Sequence, residues 1–402
     1  MAVLSRFCFG FSLLLPVFLL SCQPAAAPGG ASGAAPADTS AVSLYAVQYD
    51  QMRIRQGASK TAAVLGQAGR GEFVEGLGEI SPNRDTATLG DREYVEPYYK
   101  VRTLRPDQLE GYLFGGGLQL LYRGRRDQSP DLAQLTQYAA FLKELPMTEL
   151  GSGGRIWAYL ESHPEALATP ALADAMFILT DGALTELEIR GEFYAMLDGI
   201  EWTNEQYEQI WRQQIDMNAR PETRELALNG FALATAEGSV FPVADVLRLE
   251  AFFAPKGSQA LKDWLSFQAR AFREPVWDDG GIVVELGELA SRTLTLERFS
   301  DQYPDFGLHQ RAAESEHWHA YSLLLGSDNS WPADYDTELL RDDFRAAWDQ
   351  VLRDAPQSRT AGYIRKVQAE LQREGGKYTR QVRKVAAGLL GVEIAEYEYE
   401  GE

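Results

Sequence analysis

Two cysteines, four histidines and 58 carboxylates are the groups with chemistry to offer in this chain of 402 residues, and their placement removes most reactions. Cys8 and Cys22 both lie near the start, and no thiol stands beyond them. That excludes internal disulfides, paired-cysteine metal sites and a cysteine nucleophile from the rest of the chain. His317-Trp318-His319, beside Glu314 and Glu316, is the one cluster of metal-binding residue types. Residues two apart on a helix point in nearly opposite directions, and the surrounding pattern is helical, so no metal is expected there. His163 and His309 lack a spacing that completes a site. Two acidic stretches, Asp328-Asn329 with Asp334 and Asp336, and Asp278-Asp279 before Gly280-Gly281, offer oxygen ligands. They lack the alternating ligands and closing Glu of a calcium loop and are expected to be solvated turns. No cofactor is expected. A hydrolase that uses a carboxylate pair stays open as the alternative to a non-enzymatic role, because carboxylates are plentiful although no local signature marks a pair.

Cys22 has a different use. From Phe7 to Leu20 the chain is apolar, shorter than the roughly 20 residues of a spanning helix, interrupted by Pro16 and preceded by Arg6. That is the pattern of a signal peptide. It ends at Leu19-Leu20-Ser21-Cys22, which resembles the lipobox of bacterial lipoproteins: a branched apolar residue, a small residue, then the cysteine that takes diacylglyceryl. The resemblance implies that residues 1–21 are removed and that an acylated Cys22 opens the mature chain. Acyl chains contribute about 0.8 kcal/mol per buried CH2, so two or three hold a soluble body at a bilayer. Gln23, in place of Asp, points to the outer membrane and a body facing the periplasm. Residues 22–41 are Pro, Ala, Gly and Ser with almost no large apolar side chain, the composition of a flexible tether.

The remainder should fold, with 45% hydrophobic and 24% charged residues. Its length suits two or three domains. A net charge of −20 repels phosphate backbones, so no nucleic acid partner is expected.

After the tether, short strand-like runs separated by Gly, Asn, Asp and Pro continue to Tyr122. Among them stand Met52-Arg53-Ile54-Arg55-Gln56-Gly57-Ala58-Ser59, then Val64-Leu65-Gly66, then Gly71-Glu72-Phe73-Val74. These resemble the first half of the bacterial SH3 domain. Tyr98-Tyr99-Lys100-Val101 and Gly111-Tyr112-Leu113 stand where that family has W-Y-K-V and G-W-V. Ala58 replaces its usual proline, and an acidic insertion from about Ile80 to Pro97 lengthens one loop. The resemblance covers about a fifth of the chain. It implies a small all-β barrel over 42–124 that binds peptidoglycan peptides or docks on an envelope protein. Tyr49, Tyr98, Tyr99 and Tyr112 are the ligand-binding candidates, since rigid rings with a polar tip anchor recognition surfaces.

From Asp127 the period changes to that of helices. Ser129-Pro130 and Thr169-Pro170 read as helix starts, and Thr203 to Gln206 as a capping box. Further stripes, among them Arg220 to Thr235 and Val243 to Phe253, bring the expectation to about ten helices over 127–392, an irregular helical domain or tetratricopeptide-like hairpins. An acidic tail covers 393–402. The expected molecule is thus multidomain, an SH3-like barrel followed by a mostly α-helical domain. Its expected role is a non-enzymatic binding or scaffold lipoprotein, held to the membrane by lipid.

Overall fold

The computed structural model describes residues 41–393, and the expected leader, Cys22, almost all of the expected tether and the residues from Ile394 lie outside the described residues. β1 (Ala41–Val47), β2 (Met52–Arg55), β3 (Val64–Ala68), β4 (Phe73–Leu89), β5 (Arg92–Thr103), β6 (Glu110–Phe114) and β7 (Leu118–Arg125) form one antiparallel sheet. The strand order is β3-β2-β6-β5-β4-β1-β7. On β2, Met52 and Ile54 are buried while Arg53 is exposed, the period of two that the sequence suggests.

The small SH3-like barrel expected over 42–124 is not formed. β3 and β7 stand at opposite edges of an open sheet and do not pair. β7 lies against the helices instead, where Gln119 Nε2 donates to the Gly307 carbonyl at 2.9 Å. β1 shows the physical reason. Its Tyr45 and Val47 join the sheet's own apolar cluster with Ile54, Val74, Val101 and Leu113. Its Leu44 and Ala46, with Phe73 and Leu121, belong to the cluster built by the helices. A strand covered on both faces is apolar on both, and here the second cover is the helical body. The insertion near Ile80 to Pro97 is also not a loop. It is the outer half of the β4–β5 hairpin, paired from Arg84 opposite Pro97 to Leu89 opposite Arg92 and turned at Gly90.

α1 (Leu132–Lys143), α2 (Gly151–Ser162) and α3 (Pro170–Arg190) follow the sheet. Asp131 rather than Ser129 caps α1, accepting from the amides of Ala133 and Gln134. Ser129 Oγ donates to the Arg126 carbonyl. Thr169 and Pro170 open α3 as expected. This helix is buried on almost every side, through Leu172, Ala173, Met176, Phe177 and Leu184 among others, which marks it as the central one. α4 (Asn204–Trp211) carries the expected capping box, Thr203 with Gln206.

The helix expected over Arg220 to Thr235 is instead α5 (Pro221–Leu228) followed by β8 (Phe231–Ala236), which pairs with β9 (Ser239–Ala244). Glu237 and Gly238, with φ of 50° and 73°, make the tight turn between these strands. The stripe from Val243 accordingly begins as strand and becomes α6 (Val246–Phe253). α7 (Gln259–Arg273), a small hairpin of β10 (Trp277–Asp278) and β11 (Gly281–Ile282), α8 (Leu286–Gln302), α9 (His309–Leu325), α10 (Asp342–Asp354), α11 (Arg359–Arg373) and α12 (Arg380–Leu390) complete the order. α8 and α9 serve two cores. Leu296, Phe299 and Ala312 pack into the cluster that holds α3 and the sheet. Leu289, Leu294, Leu323 and Leu324 pack with α10, α11 and α12. No helix of the described residues is long and apolar enough to cross a membrane.

Gly307, between α8 and α9, shows how closely β7 approaches. A methyl group there would stand 2.5 Å from the Leu120 carbonyl oxygen and 2.5 Å from Ile178 Cδ1. Gly307→Ala is therefore expected to cost about 1–3 kcal/mol through overpacking. A lower urea midpoint at unchanged slope would be the readout. An unchanged midpoint would mean that β7 is not held against the helices at this point.

Candidate functional site

The contact between β7 and the helices leaves a cleft along their seam. Its walls are Leu121 to Arg123 of β7, the turn from Asp127 to Ser129, the start of α3, the start of α7, and the segment from Gln302 to Gly307 after α8. The volume is about 730 Å3, within the range of sites that hold small molecules or short peptides. Tyr122, Pro170 and Pro304 supply apolar surface, and a few polar groups converge between them.

Asp174 is the group whose chemistry stands out. It sits on α3 between Ala173 and Ala175, so its carboxyl is turned from the helix core into the cleft wall, where Oδ1 accepts the Ser258 amide at 2.9 Å. Burial pushes its pKa up to about 6, and the Ser258 donors and the Lys262 charge, which act the other way, do not offset this. The other charges are answered. The Arg123 guanidinium donates to Ser43 Oγ at 3.2 Å, Tyr45 Oη at 3.0 Å and Asp305 Oδ1 at 3.4 Å. Asp127 takes a two-pronged pair from Arg125, at 3.0 and 2.9 Å, which holds its carboxyl below the usual range. Tyr303 donates to Asp263 at 2.6 Å, and desolvation together with that carboxylate pushes it up to about 12.

The raised Asp174 value has a consequence for stability. The folded state holds this proton more tightly than the unfolded chain, so the contribution is present in full below about pH 4 and is lost as pH rises through 6. Asp174→Asn removes the ionisation while keeping an oxygen for the Ser258 amide. The variant is expected to gain about 1–2 kcal/mol on the parent between pH 4.5 and pH 7.5. Urea titrations at both values check this, and a parallel pair of pH profiles would contradict it.

None of the four sequence candidates lines the cleft. Tyr98 is 4% exposed and packs edge-on against Phe114 inside the sheet. Tyr99 packs edge-on against Tyr45. Tyr49 shares a 2.8 Å hydrogen bond with Tyr94, and burial raises its pKa. Tyr112 donates to Glu79, and the Lys100 ammonium lies 5.9 Å from its ring centre. Each ring thus has its own partner, and all four belong to the sheet or its rim.

His317 and His319 sit apart as well. His319 is 1% exposed, donates through Nδ1 to the Ser315 carbonyl at 2.7 Å, and is lowered by burial to about 4. His317 packs edge-on against Trp318. Glu316 pairs with Arg359 at 2.8 Å, and Glu314 accepts from Gln310. Among the described residues no group of three or more His, Cys, Asp or Glu side chains is placed to hold a metal ion. The two acidic stretches meet each other. The Asn329 amide donates to the Gly280 carbonyl at 2.9 Å, and Ser330 Oγ accepts the Ile282 amide at 2.8 Å. Asp334 closes its own turn by accepting the amides of Asp336 and Thr337.

Asp174, Ser258, Tyr303 and Asp305 come together from positions scattered along the chain, so no local motif unites them. One signal was present: Asp174 is the single charged residue in the otherwise apolar run from Pro170 to Thr180. Compared with protein-family models, curated proteins and solved structures, the chain finds no match.

Proposed function

We propose that this chain is a non-enzymatic binding protein of the bacterial envelope, tethered by lipid on Cys22, that holds its ligand in the cleft between sheet and helices. The observation that carries the proposal is the cleft itself: about 730 Å3 of largely apolar space with a few converging polar groups. The shared core supports it, because walls packed into one buried cluster lower the ordering cost of binding between them. The lipobox resemblance at Cys22 supports the tether, and with Gln23 an outer-membrane position facing the periplasm. Ligands of the kind available there are cell-wall peptides or the extended segment of an envelope protein.

Affinity purification from crosslinked envelopes tests this reading, with the parent chain beside Ala171→Trp, a ring placed at the cleft wall. A ligand captured by the parent and lost with the variant is expected. A partner captured equally by both would overturn the cleft as the binding site. Labelled fatty acid is expected on the parent and not on Cys22→Ala, and its absence from the parent would overturn the tether.

One observation favours a second reading, a carboxylate-pair hydrolase: Asp174 is raised and Asp127 lowered in the same cleft, the separation that acid and base roles require. The bidentate hold of Arg125 on Asp127 counts against it, since both oxygens are engaged. Turnover of purified peptidoglycan, lost in both Asp174→Asn and Asp127→Asn, would make this the better account.

A further inference from the structure

Resting on the cleft as the binding site, we infer that its ligand is held through a primary ammonium group seated against the Asp174 carboxylate, with the ligand's apolar body against Tyr122, Pro170 and Pro304. Charge accounting within the cleft leads there. Asp305 has Arg123 at 3.4 Å, and Asp127 has Arg125 at 2.9 Å. No Lys or Arg of the described residues stands within ion-pair distance of Asp174. Its donors are the Ser258 amide and hydroxyl, which are neutral, and Lys262 acts only from further away.

A partly desolvated carboxyl with no counter-ion in contact gains most when a cation arrives, because part of the desolvation has already occurred. The charged and titratable groups around it come from several neighbouring elements. α7 brings Lys262 and Asp263, β7 brings Arg123, the following turn brings Asp127, and the segment after α8 brings Tyr303 and Asp305. Of the three carboxylates that line the cleft, Asp305 and Asp127 are paired with Arg123 and Arg125, which leaves Asp174 as the one open to a cation. The longer-range field has the same sign. From residue 126 to the end, Asp and Glu number 47 and Lys and Arg 26, whereas the stretch 41–125 has 10 and 11. A cation approaching the seam is therefore drawn toward the helical side.

An amino sugar and a lysine-type side chain of a peptide share this chemistry. The experiment separates them by calorimetric titration of the full chain in detergent micelles. The probes are the β-1,4-linked glucosamine disaccharide and its di-N-acetyl form, and N-acetyl-Ala-Lys-Ala-amide and its Nε-acetyl-lysine form. In one pair the free amine is expected to bind at least about tenfold more tightly than its acetylated partner at pH 7, and about tenfold more weakly at pH 5 as Asp174 takes up its proton. Asp174→Asn is expected to lose both the preference and the pH dependence. The parent's own two dependences remain decisive if that variant folds poorly.

If acetylated and free forms bind alike, and Ala171→Trp abolishes both, the cleft stands as the site and the ammonium assignment falls. If a folded Asp174→Asn keeps the amine preference, the seat is elsewhere and the inference is overturned. If none of the four probes binds, it is overturned as well.

Discussion

Cutting Leu121 back to alanine is expected to cost about 2–4 kcal/mol and to bring down sheet and helices in one transition. Leu121 is 2% exposed on β7 and packs in the same apolar cluster as Leu135, Tyr138, Phe177 and Leu184 of the helices. Removing its branched end loses the transfer free energy of the buried carbons and leaves a cavity that close-packed neighbours fill only in part. The location matters as much as the size. In a free-standing barrel this side chain would face its own strands, and helical unfolding would be indifferent to it. Thermal unfolding followed by far-ultraviolet circular dichroism, which the helices dominate, and by near-ultraviolet signals, to which the sheet's tyrosines contribute, should shift together. A helical transition left at its parent midpoint would contradict the shared core.

Removing the Glu297 carboxylate should be nearly as damaging, at about 2–4 kcal/mol for Glu297→Ala. Glu297 lies on α8 and is 4% exposed. It accepts the amides of Arg359 and Thr360 and the Thr360 hydroxyl, the last two at 3.0 and 2.6 Å. These are the first donors of α11, which have no partner within their own helix. A carboxylate from one helix thus caps the start of another and satisfies a buried set of donors. Alanine leaves them without acceptors away from water, which is the costly way to lose a hydrogen bond. Glu297→Gln keeps one acceptor oxygen and is expected to cost less. Urea midpoints of the two variants measure the difference. Equal, small losses would mean that water reaches the α11 terminus and that the cap contributes little.

What the sequence made legible was local. The alternation of Met52 and Ile54 with Arg53, the Thr203 to Gln206 box and the Thr169-Pro170 start all depend on neighbours within one turn or one strand. The Ser129 start was displaced to Asp131 because two competing cap residues lay two positions apart. Barrel closure was not local. It depends on where the second face of β1 goes, which is decided by α1 and α3, far along the chain. A hint was present: Val42 and the run Leu44-Tyr45-Ala46-Val47 offer no polar face, as befits a strand covered on both sides. The β8–β9 hairpin was hidden by Phe, Leu and Ala, residues at home in a helix, and only Gly230 and Glu237-Gly238 announced it. Aromatic enrichment drew the sequence reading to Tyr49, Tyr98, Tyr99 and Tyr112, whereas the cleft gathers groups that only the tertiary fold brings together. Cys22 and the lipid expected on it lie outside the described residues.

Hydrogen exchange of the full chain across a urea series addresses the core shared by sheet and helices most directly. Amides of Leu44, Ala46 and Leu121 in the sheet and of Leu172, Met176 and Leu184 in α3 all pack in or border the same cluster. Their opening free energies are expected to converge on a single global value as urea rises. Sheet amides that open at a distinctly lower free energy, with α3 still protected, would contradict a seam built on shared packing, and with it the cleft that depends on that seam.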